Sequence, residues 1–269
     1  MAMLNARPVF SPVLGKRPCR HAFSTRQGGI SSGVFESLNF GNPGEIAPEQ
    51  RDPGTNIARN FDRLLESVGM RGRELVQVHQ VHGAVVHEVR RGRRTHEGAH
   101  DTRADAIVTD DPARVLAIRV ADCAPVLLAS SDGRVVGAVH AGWRGVVEGV
   151  VSHAVERMAG LGAPTAALAA AIGPCIGAEA FEVGPEVAAE FRRVFGPETR
   201  HVRAGARDRS LVDLKGSIAE QLARAGLSAE NIDVLPHCTA GDPERFFSHR
   251  RDRGVTGRMV AVIGSVIDG

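Results

Sequence analysis

The 269-residue sequence predicts a mixed α/β layered domain, and three observations carry that expectation. A hydrophobic content of 43% is enough for one sizeable core at this length. Short runs rich in β-branched residues alternate with amphipathic helical patterns, and because each helix must bury its apolar stripe, helices are expected to cover at least one sheet face. No fixed-period repeat or low-complexity linker divides the chain, so a single domain is expected.

The elements follow in order. Gly28 to Gly54 is rich in Gly, Ser, Asn and Pro and promises turns. NIARNFDRLLESVG spaces Ile57, Phe61, Leu64 and Leu65 at helical intervals and stops at Gly69, which predicts a surface helix. ELVQVHQVHGAVVHEV, ADAIVTD, VLAIRVADCAPVLLAS and RVVGAVHA read as consecutive strands. Arg144 to Met158 reads as one helix, with Val147, Val150, Val151, Ala154, Val155 and Met158 on its apolar face. Beyond Gly162 come a buried strand in ALAAAIG, a helix in PEVAAEFRRVFG opened by Pro185, another in LVDLKGSIAEQLARAGL, and strands in NIDVLP and RMVAVIG.

Composition narrows the function. Basic and acidic residues nearly balance, 33 against 31, which argues for neither a nucleic-acid nor a membrane-surface partner. The N-terminus lacks a continuous apolar segment and no later run approaches the ~18 apolar residues of a membrane span, so a cytoplasmic location is expected. Cys19, Cys123, Cys175 and Cys238 lie far apart without a CxxC pair, which fits neither a disulfide framework nor a zinc finger.

Three positions combine donor chemistry with strand ends: His82 in QVHG, Cys123 in ADCAP and His140 in VHAGW. Each sits where an apolar run meets Gly, Ala or Pro, and α/β proteins expose side chains to a cleft at such places. Two imidazoles and one thiolate suit zinc and leave a coordination position open, as in catalytic sites. Against this stands the common fate of a single His as a solvated group and of a buried Cys as a small hydrophobe. His79 competes with His82; on a strand their offset of three turns the rings to opposite faces, so at most one is expected at the site. FSTRQGG with Arg26, and FFSHRRDRGVTGR with His249 and Arg250, suit phosphate or carboxylate groups, or else form solvated basic loops. Cys175 in AAIGPCIG reads as a nucleophile, a substrate contact or a packed thiol.

Together, HAFSTRQGGISSGVFESLNFG, QVHG, ADAIVTDDP, ADCAPVLLA, VGAVHAGWRG, AAIGPCIG, FEVGPEV and FFSHRRDRGVTGR closely resemble the YfiH/LACC1 family, formerly labelled multicopper polyphenol oxidase (laccase) or DUF152. The resemblance runs from about His21 to Ile263. It implies an N-terminal extension over 1–20 and a YfiH-like α/β/α-type domain over 21–269. It also implies a zinc ion held by His82, Cys123 and His140; the copper of the older label is disfavoured, because one His/Cys/His set does not supply a multicopper cluster. Gly142 is then expected to let the chain turn sharply, Arg144 to sit near a helix N-terminus where an anion is favoured, and Trp143 to wall the pocket or pack.

The family's activities imply an enzyme acting on small molecules. These are phosphate-dependent cleavage of adenosine, inosine, guanosine and methylthioadenosine to a base and ribose 1-phosphate, with adenosine deamination as a second activity. Cys123, His140 and Arg26 are the expected catalytic residues. Arg26, Arg144 and Arg250 are the candidates for phosphate, Asn39 for sugar or base, and Cys175 and His249 for further substrate contact. Two departures stand out: His249 occupies the place of the Tyr in the family's FFSYR, and the HxE…PCxxC signature of zinc nucleobase deaminases is absent. Two other readings compete. One is a Cys/His hydrolase editing peptidoglycan precursors, with Cys123 as nucleophile paired with His140; the other is a non-catalytic metal or nucleotide binder. No oligomeric state is specified.

Overall fold

A computed structural model gives the structure and describes residues 6–44, 46–92 and 101–266. Two mixed sheets lie face to face. The first has four strands: β1 (Cys19–Phe23) pairs antiparallel with β13 (Met259–Ser265), which pairs antiparallel with β5 (Arg114–Val120), and β2 (Glu74–Val76) adds in parallel to β5. The second has six, in the order β12 (Ile232–Val234), β8 (Ala169–Ile172), β6 (Ala124–Ala129), β7 (Val136–Ala141), β4 (Ala106–Thr109) and β3 (Val86–Val89). A small antiparallel sheet of β9 (Glu182–Val183), β10 (Val202–Ala204) and β11 (Ser210–Val212) lies to one side.

Side-chain parity explains the layers. In β5 and β13, Leu116, Ile118, Ala261 and Ile263 point into the space between the sheets, where they meet Leu127, Ala129, Val136 and Ala138 of β6 and β7. Their neighbours Val115, Ala117, Val260 and Val262 face outward and are covered by Phe61, Leu64 and Leu65 of α1 (Gly54–Ser67). Taking each of these large side chains out of water contributes about 1.5–3 kcal/mol. The outer face of the six-stranded sheet, with Val126, Val139 and Ile172, is covered by α3 (Val150–Gly160) and α5 (Leu214–Arg224), and α4 (Pro185–Phe195) extends the same apolar core against the small sheet. The mixed α/β domain therefore forms with helices outside and sheet inside, and the sheet layer is double. Strands buried on both faces read as continuous apolar runs, which is why β6, β7 and β8 carry no polar alternation.

Several elements differ from the sequence reading. The helix expected from Arg144 to Met158 is two: α2 (Trp143–Val147) and α3, broken where Gly149 takes φ +82°. The start of LVDLKGSIAEQLARAGL is strand β11, and α5 begins after Asp213, whose side chain accepts from Gly216 N at 2.9 Å. β1 falls in a stretch with no strand expected, because Cys, Arg and His interrupt its apolar pattern. Before it, Leu14 is fully buried in the inter-sheet core and Val9 bridges Phe23. The first five residues of the expected extension lie outside the described residues. Among the described residues no helix is long and apolar enough to cross a membrane.

Candidate functional site

β5 belongs to one sheet and β6 to the other, so the chain crosses between sheets at Ala121-Asp122-Cys123. Asp122 makes the crossing in a left-handed conformation, φ +81°. Its main-chain carbonyl accepts from Ile176 N at 2.9 Å, and its buried carboxylate accepts from Thr239 Oγ1 (2.5 Å), Ser248 Oγ (3.0 Å) and Arg250 N (2.6 Å). This ties the FFSHRRDR loop to the corner. Cys123 follows at once, and His140 lies beside it because Pro125 of β6 pairs with His140 of β7.

The third donor arrives differently. β2 ends at Val76, and residues 77–85 form an irregular loop in which His82 has φ +62°. Gln80 substitutes for a strand residue: its amide donates to Arg119 O (2.7 Å) and accepts from Arg119 N (2.9 Å). Asp105, fully buried, completes the arrangement with one carboxylate. Oδ1 accepts from His82 N (2.9 Å) and from His140 Nδ1 (2.8 Å), while Oδ2 accepts from Val81 N (3.2 Å) and Gly83 N (2.7 Å). A single side chain thus sets the path of the His82 loop and the orientation of the His140 ring, leaving Nε2 of His140 toward Cys123. Because the loop is not a strand, the offset of three does not separate the rings, and both His79 and His82 line the cavity.

The donor atoms of His82, Cys123 and His140 all lie within 4.8 Å of one another. At bond lengths of about 2.0–2.3 Å, one ion is within reach of all three after small side-chain rotations. Gly142 supplies an independent test of fit. A Cβ there would stand 3.1 Å from Cys123 Sγ and 3.3 Å from His82 Cδ2, tight enough to press on both donors by a few tenths of an ångström, so glycine leaves the space in front of them open. Its φ of −74° is ordinary, which corrects the expectation that it serves a sharp turn. Gly145 plays a matching part, since a Cβ would come 2.8 Å from Gly83 O where α2 lies against the His82 loop.

Electrostatics mark Cys123 as a thiolate. Burial alone would raise its pKa, yet the adjacent His140 charge and hydrogen bonds from His140 and His82 bring it down to about 6. Burial likewise opposes the charge on His140, and the Cys123 thiolate with Asp105 outweighs it, raising the imidazole to about 9. Asp105 is buried but held below the usual carboxylate range by its hydrogen bonds from His140, Gly83 and His82.

The corner opens on a cavity of about 540 Å³. Trp143, Ile176, Phe181 and Leu214 give it an apolar wall, and Arg119, Arg250, Arg258 and His249 line it as well. Of the residues singled out from sequence, His82, Cys123, His140, His249 and Arg250 therefore come together here. Four others do not reach it. Arg26 donates to Glu36 O (2.7 Å) and Pro243 O (3.1 Å) and stacks on Phe247, tying two loops. Arg144 is exposed, with its guanidinium over the Trp143 ring. Asn39 is fully buried, donating to Asp52 (2.8 Å) and accepting from Arg258 N (2.8 Å). Cys175 is fully buried in the core under the helices, and burial pushes its thiol up to about 12. Asp105, Asp122, Gln80 and Arg119 escaped the sequence reading; Asp105 lies between two alanines just before β4 and Arg119 inside the apolar run of β5, and charged residues also occur in β1, β2, β3, β9, β10 and β12, so neither stands out as a signal.

Over most of its length the chain is similar to known proteins. A family model described as multi-copper polyphenol oxidoreductase laccase matches residues 20–266. A purine nucleoside phosphorylase of Deinococcus radiodurans is 40% identical over 246 residues, covering 91% of this chain and 88% of that one. The crystal structure of YlmD from Geobacillus stearothermophilus superposes with a TM-score of 0.83 at 33% identity, over 95% of this chain and 94% of that one. A hypothetical protein YfiH of Bacillus licheniformis gives 0.82 at 30% identity, over 92% of each.

Proposed function

Since the chain belongs to the family described as multi-copper polyphenol oxidoreductase laccase, whose YfiH-type members resemble it throughout, we propose that it is a metal-dependent purine nucleoside phosphorylase. The observation that carries this reading is the convergence of His82, Cys123 and His140 on one corner of a 540 Å³ cavity, supported by relatives that bear that name. Pockets of roughly 300–1,000 Å³ hold small organic ligands. Its substrates are adenosine, inosine, guanosine and methylthioadenosine, with adenosine deamination as a second activity of the same site.

His82, Cys123 and His140 would hold the ion, and zinc suits one thiolate with two imidazoles; a blue-copper site uses the same three donors with a long axial ligand such as Met, and among the described residues no Met lines this cavity. The ion when bound supplies Lewis-acid polarisation and lowers the pKa of water. The chain's own residues do the rest. Asp105 fixes the His140 tautomer and the His82 loop, so that only small side-chain rotations separate the donors from a shared ion. The Trp143, Phe181, Ile176 and Leu214 wall takes the purine ring and excludes water. A phosphate oxygen bonds to the anomeric carbon as the N-glycosidic bond breaks and the purine leaves with its bonding electron pair, taking up a proton to become the free base; positive charge develops on the ribose in between, so a cavity carrying three arginines orients the nucleophile. Chromatography of adenosine and inosine incubated with and without phosphate tests this. Free base and ribose 1-phosphate should form only with phosphate, and turnover indifferent to phosphate would refute it. Purified protein should carry about one zinc per chain.

One observation favours a second reading. The Cys123 thiolate beside the His140 imidazolium is also the pairing of a cysteine nucleophile, which would serve a hydrolase acting on peptidoglycan precursors. Full hydrolytic turnover by metal-free protein selects that reading.

A further inference from the structure

Three arginines line the cavity, and they are held very differently. Arg250 donates through Nη1 to Glu182 O (2.8 Å) and Ala180 O (3.4 Å), and Arg258 through Nη1 to Thr256 O and Gly257 O, both 3.1 Å. Arg119 stands apart. Its main chain is fastened by the Gln80 amide and by pairing with Val260 in β13, so the base of the side chain is rigid. Yet among the described residues its guanidinium has neither a hydrogen bond nor an ion pair. The side chain is half-buried, and a Cβ on Gly41 would lie 3.3 Å from both its Cδ and its Nη1, so glycine lets the neighbouring loop close over it.

A guanidinium taken partly out of water without a partner is unfavourable, and burial here weakens its hold on the proton with no carboxylate among the described residues to offset it. The carboxylate that lines the cavity, Asp122, is already engaged by Thr239, Ser248 and the Arg250 amide. The cavity thus has an excess of positive charge and one preorganised planar fork with its donors unused, which is the complement of a multiply charged oxyanion.

We propose that Arg119 is the phosphate anchor of this cavity, its guanidinium donating to two oxygens of inorganic phosphate. The assignment rests on the phosphorylase reading for the identity of the anion, and neither Arg26 nor Arg144 shares the role because neither lines the cavity. Arg119 positions the nucleophile, while Arg258 and Arg250, tied to main-chain carbonyls, shape the wall around it.

The test is steady-state kinetics of inosine cleavage with phosphate and nucleoside varied separately, for wild type, Arg119→Met and Arg119→Lys. Loss of a charge-assisted bidentate contact should raise the KM for phosphate about tenfold or more in Arg119→Met, with the KM for inosine and the melting temperature unchanged. Arg119→Lys, which keeps the charge and loses the fork, should lie between; it alone decides the matter if the Met variant does not fold. A phosphate KM within about twofold of wild type in a folded variant overturns the proposal. Calorimetric titration separates this outcome from failure of the phosphorylase reading. If wild type binds inorganic phosphate, Arg119→Met does not, and no nucleoside is cleaved, the anchor stands and the phosphorylase reading falls. If wild type binds no phosphate, the anchor falls. Adenosine monophosphate forms the last arm: Arg119-dependent binding of the nucleotide without binding of free phosphate overturns the inorganic-phosphate assignment in favour of a nucleotide phosphate.

Discussion

Two corners of this molecule place a cysteine within two residues of a proline at the end of a buried strand, and they do opposite things with it. At Ala121-Asp122-Cys123, before β6, the thiol meets the His140 and His82 rings and is drawn down to about 6. At Gly173-Pro174-Cys175, after β8, the thiol is fully buried among apolar side chains and is pushed up to about 12, while the Cys175 main chain bridges that of Cys238. The corners are even joined, through Ile176 N to Asp122 O and Thr239 to the Asp122 carboxylate. Strand-end position and a neighbouring proline therefore do not make a reactive cysteine. The imidazoles do, and they are delivered by β7 and by the loop that Asp105 holds.

The largest expected effect lies at the first corner. Cys123→Ala should lose bound metal, as read by elemental analysis, and about a thousandfold or more of nucleoside turnover, with the circular dichroism spectrum unchanged. Retained turnover would break the contrast outright. Next comes reactivity. In chelator-treated protein, alkylation of Cys123 should rise with pH through about 6 and level off by pH 8, because the depressed pKa leaves the thiolate dominant above it. Cys175, raised to about 12, should stay unlabelled across that range, by a margin of more than about 100-fold in rate on peptide mapping. Asp105→Asn should weaken metal affinity or activity by about 10–100-fold, since it orients two donors without touching the ion. The smallest effect belongs to the second corner: Cys175→Ala should lower stability by about 1 kcal/mol in denaturant titration and leave turnover and metal content intact. A large catalytic defect there would show that the buried thiol takes part after all.

Much of the fold was legible because periodicity reports burial. The strands around Val126, Val139 and Val262 and the helix around Phe61 follow from patterns of apolar residues, which depend only on which faces meet water. The break at Gly149 and the strand before Asp213 were hidden inside helical patterns, because both faces of those segments carry enough apolar residues to fit either reading. At the site, the donor types and Arg250 were legible, and Arg119 and Arg258, which also line the cavity, were not. Arg26 and Arg144 sit beside glycines and a helix start, which look like anion sites locally, yet Glu36 O, Pro243 O and the rings of Phe247 and Trp143 occupy them. Arg119 looks like an interruption in a strand and faces the cavity.

By itself the amino-acid sequence determined the mixed α/β class, the burial of its central strands, and the identity of three soft donors at the ends of apolar runs, because all of these express local residue chemistry and solvent avoidance. Tertiary structure alone decided that β5 and β6 belong to different sheets, that Asp105 reaches both the His140 ring and the His82 main chain, that Gly142 leaves room beside the three donors, and that Arg119 faces the cavity with no partner for its guanidinium among the described residues. Those facts depend on distances between residues 20 to 60 or more positions apart in the chain. Close packing of two sheets settles such distances, and no local pattern encodes them.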